Sequence, residues 1–222
     1  MTPSADRNPL PRPLPTDDPV VQDILGAAMA EFAQLGLGGA RVDAIAAQTK
    51  TSKRMIYYHF GSKEGLYRAV LDHAFRSARF REDSFDPGLG SPLEALTRFA
   101  EDAFDTFASR PDFVRLLTME NLGGAVYIKN SSLISRLNQR GFKHIESIVR
   151  RGKEDGTMRS DITPLDVYIN LVGMCYYHAA NRAGYLASFK GRLNEEIASE
   201  AFHASRKRAV IESVTRYAQV RI

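Results

Sequence analysis

The chain has no tryptophan and one cysteine, Cys175, among its 222 residues. One cysteine cannot close an internal disulfide or furnish a cysteine-based metal cluster, and such sparing use fits a reducing compartment. Long hydrophobic runs are also missing. The longest nearly apolar stretch, Val167 to Ala180, is interrupted by Asn170, Gly173 and His178 and falls short of the ~20 residues a membrane helix needs. No apolar run flanked by basic residues marks a secretory signal. These absences lead us to expect a cytoplasmic protein with no membrane partner.

Proline is scarce outside one end. Residues 1–19 hold six of the ten prolines (Pro3, Pro9, Pro11, Pro13, Pro15 and Pro19) and little that could be buried. A disordered, polyproline-like arm is expected over residues 1–17. Alternating period-2 runs of useful length are lacking as well, which removes strands from consideration. What remains is ordinary globular material, 44% hydrophobic and 25% charged, enough for a real core in one or two domains.

From Asp18 onward the apolar period is helical. Asp18 and Pro19 suit an N-cap and first position, and the first helix is expected to end at Gly36. A loop to Gly39, a short helix over 42–48, a turn with Thr51 and Ser52, and a second short helix over 53–59 follow. Ser62 caps a long helix from Lys63 to about Arg81. Ser91-Pro-Leu-Glu94 reads as a capping box opening a helix to about Ser109. Pro111 opens another, ending near Gly123. A stripe of Ile134, Leu137, Gly141, Ile145 and Ile148 marks a helix within 130–155. Thr163-Pro-Leu-Asp166 starts one to about Leu186, and a last helix covers roughly 199–219. The expected fold is all-α, with about nine helices.

Charge is concentrated rather than large. The chain carries a net +4, but residues 41–81 hold nine basic and three acidic side chains, leaving the remainder slightly acidic. Two short helices joined by a tight turn after a longer one outline a helix-turn-helix reader. In the second, Ile56 and Phe60 should face the core, leaving Lys53, Arg54, Tyr57, Tyr58 and His59 towards solvent. Cations and phenols so placed suit guanine edges and phosphates of a major groove. Lys63, just after a helix cap, suits a phosphate too. On composition alone, a solvated basic lobe reads equally well.

Residues 24–71 resemble the N-terminal domain of the TetR family of transcriptional regulators. The resemblance rests on Ala44-Ile-Ala-Ala47 and on Ile56-Tyr-Tyr-His-Phe-Gly-Ser-Lys-Glu-Gly-Leu66. It implies a three-helix DNA-binding domain over 18–64, a connecting helix to about 81, and a larger helical ligand-binding and dimerisation domain over 82–222. It places Lys53, Met55 and Tyr57 to His59 on the recognition helix and makes Lys63 a backbone clamp. With Arg41, Thr51, Ser52 and Arg54, these residues form the expected DNA-binding set. Three positions depart from the family pattern. Lys50 stands where glycine is usual and would take a left-handed conformation, Arg54 replaces a small residue, and Ala40 stands where a Thr or Ser cap is common.

The resemblance further implies a homodimer on palindromic double-stranded DNA, with a small-molecule effector in the second domain. The last two helices are the expected dimer face, through Tyr168, Leu171, Val172, Cys175 and Ala179 on one and Val210, Ile211, Val214, Tyr217 and Ala218 on the other. An intrachain core would explain the same stripes. On the second helix Arg206, Lys207, Arg208 and Arg216 should lie opposite the apolar stripe. Polar or aromatic residues within apolar helices are the expected pocket: Phe104, Phe107, Phe113, Met119, Glu120, Asn121, Met174, Tyr177, His178 and Asn181, with His144 and Tyr185 beside them. Each singly could be ordinary packing. His59, His73, His144, His178 and His203 lack metal-ligand spacing, and Cys175 within a helix suits a buried inert thiol. No cofactor, metal or catalytic residue is expected, and the chain is read as a regulator, not an enzyme. An activator, or a regulator without a ligand, remains compatible with these residues.

Overall fold

A computed structural model describes residues 18–78, 84–189 and 191–220; the proline-rich arm lies outside them. Ten α-helices are present among these residues, and the only β pairing there is one isolated bridge between Met158 and Gln219. The helices fall into two compact units. One contains the described residues up to Ser77 together with Arg115–Leu137, and the other contains Ala78–Val114 and Asn138 onward.

In the first unit, α1 (Pro19–Gly39) begins where Asp18 Oδ1 accepts from Val20 N at 2.8 Å. Its last turn is offset by Gly36, whose φ of 67° a side chain would strain. The helix therefore breaks at the expected residue, although helical hydrogen bonding resumes briefly beyond it. The short helix α2 (Val42–Ala47) and the next, α3 (Lys53–Phe60), follow, then α4 (Lys63–Ala78). Ser52 Oγ caps α3 by accepting from Met55 N, and Ser62 Oγ caps α4 by accepting from Gly65 N. The core joins Ile24, Ala28 and Phe32 of α1 to Ile45 of α2, Ile56 and Phe60 of α3, and Leu66 and Val70 of α4, all nearly solvent-free.

One expectation fails here. Lys50 is not left-handed: the sole non-glycine residue with positive φ among those described is Ala125. The turn is held instead by Lys50 N donating to Asp23 Oδ2 at 3.0 Å and Thr49 Oγ1 donating to the Ala46 carbonyl at 3.0 Å. As the lack of a Thr or Ser there implies, no side chain caps α2: Ala40 is buried and ends α1, and Arg41 stands at the N-cap position.

Residues 115–137 pack with the N-terminal helices rather than following a division in chain order at residue 82. The reason is a buried polar anchor. Glu120, on α6 (Pro111–Leu122), accepts from Tyr67 Oη at 3.1 Å and from the Tyr127 and Ile128 amides at 3.1 and 3.2 Å. Burial and the neighbouring Glu120 push the Tyr67 hydroxyl pKa upward, so it stays a donor. Ser131 Oγ adds a 2.7 Å bond to Asp72 of α4. The small residues Gly123, Gly124 and Ala125 supply the turn between them, the last two at positive φ.

In the second unit, α5 (Pro92–Ser109) and α8 (Pro164–Ser188) each open with a complete capping box, Ser91 with Glu94 and Thr163 with Asp166. Together with α10 (Glu200–Ala218) they enclose a core of Leu96, Ala100, Phe104, Val167, Leu171, Cys175, Val210 and Val214. The helix α7 (Ser132–Glu154) contributes Ile145, Ile148 and Val149. A short helix without an expected counterpart, α9 (Arg192–Ala198), lies between α8 and α10.

Candidate nucleic-acid interface and ligand cavity

The eight residues of α3 span about 12 Å at 1.5 Å per residue, which suits a major groove of similar width. Ile56 and Phe60, each 1% exposed, fix one face inward. Lys53, Arg54, Met55, Tyr57 and Tyr58 are exposed, as are Ser52 and Arg41, whereas Thr51, His59 and Lys63 are half-buried. The whole expected DNA-binding set therefore lies on or at the margin of the surface of one unit.

Several of these groups are already engaged. Lys53 Nζ lies 2.9 Å from the Asp43 carboxylate, whose hydrogen bond and charge raise the lysine pKa. Lys63 Nζ donates to the Gly38 carbonyl at 3.3 Å. The Ser52 oxygen is occupied by its cap but its hydroxyl hydrogen remains available to a phosphate. The backbone N of Arg41 donates to the buried Glu31 carboxyl at 3.0 Å, which positions the start of α2. Asp23, Glu31 and Asp43 were not singled out from the sequence. Acidic residues beside a basic reader carry no periodic signal, and their roles appear only once α1 and α2 are brought together.

The expected pocket residues do not form one site. Met174, Tyr177 and His178 line a cavity of about 520 Å³, with Gly173 and Tyr185 of α8, Phe189, Leu193, Glu196 and Ile197 of the following segment, and Phe202 and Arg206 of α10. Phe104 stands behind this wall, its ring stacked on that of His178 at 5.2 Å. Phe107 and Phe113 belong to a separate aromatic group with Tyr176. Met119, Glu120 and Asn121 lie in the other unit, where Glu120 is a structural acceptor. Asn181 shares α8 with His178 but turns back to the Tyr177 carbonyl at 3.0 Å. His144 packs edge-on against Phe85 at 5.3 Å and does not line the cavity.

The expected dimer residues divide as well. Leu171, Cys175, Val210, Val214 and Ala218 are at most 1% exposed within the single chain, so they belong to its own core and leave no surface for a partner. Tyr168, Val172, Ala179, Ile211 and Tyr217 are half-buried. The large apolar side chains of α8 that face solvent are instead Leu165, Ile169 and Tyr177. Among the cations placed opposite the stripe of α10, Arg208 and Arg216 are exposed, but Lys207 is drawn to Asp105 at 2.8 Å and Arg206 lines the cavity.

Burial, with Asp105 nearby, pushes the Cys175 thiol up to about 12, which keeps it protonated and unreactive. Burial lowers the pKa of His178, aided by Arg206, His203 and Arg182, so its ring is neutral at pH 7. No described helix is long and apolar enough to cross a membrane.

Comparison with known proteins divides the chain in sequence order. Residues 24–70 match the family model described as bacterial regulatory proteins, tetR family, and residues 92–214 match the tetracyclin repressor-like C-terminal domain. The chain is similar to the HTH-type transcriptional repressor NicS of Pseudomonas putida, 32% identical over 160 residues, covering 72% of this chain and 76% of NicS. It is 36% identical to the HTH-type transcriptional regulator RutR of Escherichia coli over 107 residues, 46% of this chain and 48% of RutR. A solved structure of a regulator from Streptomyces coelicolor, SCO4942, aligns with a TM-score of 0.66 at 28% identity, over 90% of this chain and 98% of that one. The regulator FadR of Bacillus subtilis, solved with stearoyl-CoA, shares the fold with a TM-score of 0.66 at 14% identity, over 89% and 99% of the two chains. The matched families and these relatives are regulators, not enzymes.

Proposed function

Because the chain belongs to the TetR family of bacterial regulatory proteins and is a DNA-binding transcriptional regulator, we propose that it is a cytoplasmic repressor. In this reading it binds a palindromic operator as a homodimer and is released when a small organic effector fills the cavity. The observation that carries the reading is α3, with Ile56 and Phe60 fixed in the core and Lys53, Arg54, Tyr57 and Tyr58 presented to solvent.

A single short reader contacts too few base pairs for genomic selectivity, and a two-fold dimer doubles the site. The exposed Leu165 and Ile169 of α8 support a partner surface there, since apolar side chains in one row lose less by meeting a second copy than by meeting water. Release follows from linkage. An effector that binds better to the arrangement unsuited to DNA must weaken operator binding by the factor by which DNA weakens its own.

The test is retention of operator fragments, selected from a random-sequence library, by the full chain and by a Lys53→Ala, Arg54→Ala double variant. Both side chains are exposed, so the variant should keep its circular dichroism and lose selective retention. Equal retention by both proteins would overturn the assignment of α3 as the reader.

A further inference from the structure

We propose that the cavity of the second unit takes an organic monoanion, with a flat apolar body between the rings and a carboxylate or similar group paired with Arg206. Its size, about 520 Å³, is that of a site for a small organic molecule. Tyr177, Tyr185, Phe189 and Phe202 supply rings, and Met174 and Ile197 fill between them. Such walls favour a planar apolar body through contact area and ring geometry.

Arg206 gives the sign of the charge. It is half-buried, and among the described residues no carboxylate pairs with its guanidinium. The other half-buried cations of α10 and its surroundings behave differently. Lys207 meets Asp105, and the Arg159 guanidinium meets Asp161. Water can solvate Arg206 while the cavity is empty. A ligand filling the cavity removes that water, and a cation stripped of water without an anion is costly. The ligand is therefore expected to bring the missing anion.

The surrounding field agrees. His178, in the same wall, is disfavoured as a cation partly by Arg206, His203 and Arg182, so positive potential reaches the cavity interior. Neutral His178 can donate or accept a hydrogen bond without competing for the anion. Glu196 also lines the cavity, but it is exposed, so water and salt screen its charge more than that of the half-buried Arg206.

The chemistry of this site is separate from its regulatory meaning, which rests on the proposed function. Calorimetric titration of the full chain with naphthalene-2-carboxylate, naphthalene-2-carboxamide and 2-naphthylmethylammonium separates shape from charge. The carboxylate should bind at least about tenfold more tightly than the amide, and the ammonium more weakly than either. Arg206→Gln should bring carboxylate and amide to equal affinity while leaving the amide unchanged, and Glu196→Gln should strengthen the carboxylate. Equal binding of carboxylate and amide, preference for the ammonium, or no binding of the carboxylate overturns the proposal. Adding selected operator DNA separates the two readings. A bound carboxylate that does not release DNA leaves the anion site standing and counts against the effector role. Release by an uncharged compound alone does the reverse.

Discussion

In the free protein Lys53 shares its charge with Asp43 across 2.9 Å, and both side chains are about half exposed. Such a pair contributes little to stability, yet it must loosen if Lys53 is to reach a phosphate or a base. Asp43 also adds a negative charge beside the groove-facing helix. Asp43→Asn is therefore expected to tighten operator binding several-fold at low salt with little change in unfolding, as gel retardation and urea melts would show. Weaker binding would mean that Asp43 positions Lys53 for DNA. Lys63 makes a different case, since its ammonium rests on the Gly38 carbonyl and can exchange that acceptor for a phosphate. Lys63→Ala should reduce the slope of log affinity against log salt by about one unit. An unchanged slope would remove Lys63 from the backbone contacts.

Among the elements, α8 carries the most, because it supplies core, cavity wall and exposed apolar surface. Its start is fixed by a reciprocal cap in which Thr163 Oγ1 accepts from Asp166 N at 3.1 Å and Asp166 accepts from Thr163 N at 3.2 Å. Thr163→Ala is expected to cost about 1 kcal/mol of stability, measurable as a lower urea midpoint at unchanged slope; no change would mean that packing alone holds this end. The Ser91–Glu94 capping box and the helix start at Thr163 were legible in the sequence because a cap is a local contract between residues three apart. So was the inward face of α3, since Ile56 and Phe60 lie one turn apart. The helix α9 was not legible. It has seven residues, too few to establish an apolar period, and starts at Gly191 without a side-chain cap. Missing α9 also hid the cavity, because Leu193, Glu196 and Ile197 form part of its wall and make a lining residue of Arg206. Faces of α8 and α10 were misassigned for a related reason. An apolar stripe shows that a helix is buried, but the neighbour that buries it is fixed only by the packing of α5, α8 and α10.

For the whole molecule, the modest surplus of four positive charges conceals a basic reader and a slightly acidic remainder. This polarity favours orientation of the reader towards DNA at long range and makes association sensitive to salt. The reading also requires two copies. Ile169 is 58% exposed, so Ile169→Glu should leave the monomer folded while shifting the mass measured by light scattering towards one chain and weakening operator retention. A dimer unaffected by that charge would place the partner surface elsewhere. The most direct measurement of the central claim is a nuclease footprint of the full chain on a selected operator. The account predicts protection of two inverted half-sites with centres about one helical turn, or a multiple of it, apart, lost together in the Lys53→Ala, Arg54→Ala variant. Protection of one half-site by a monomer, or an unaltered footprint in the variant, would contradict it.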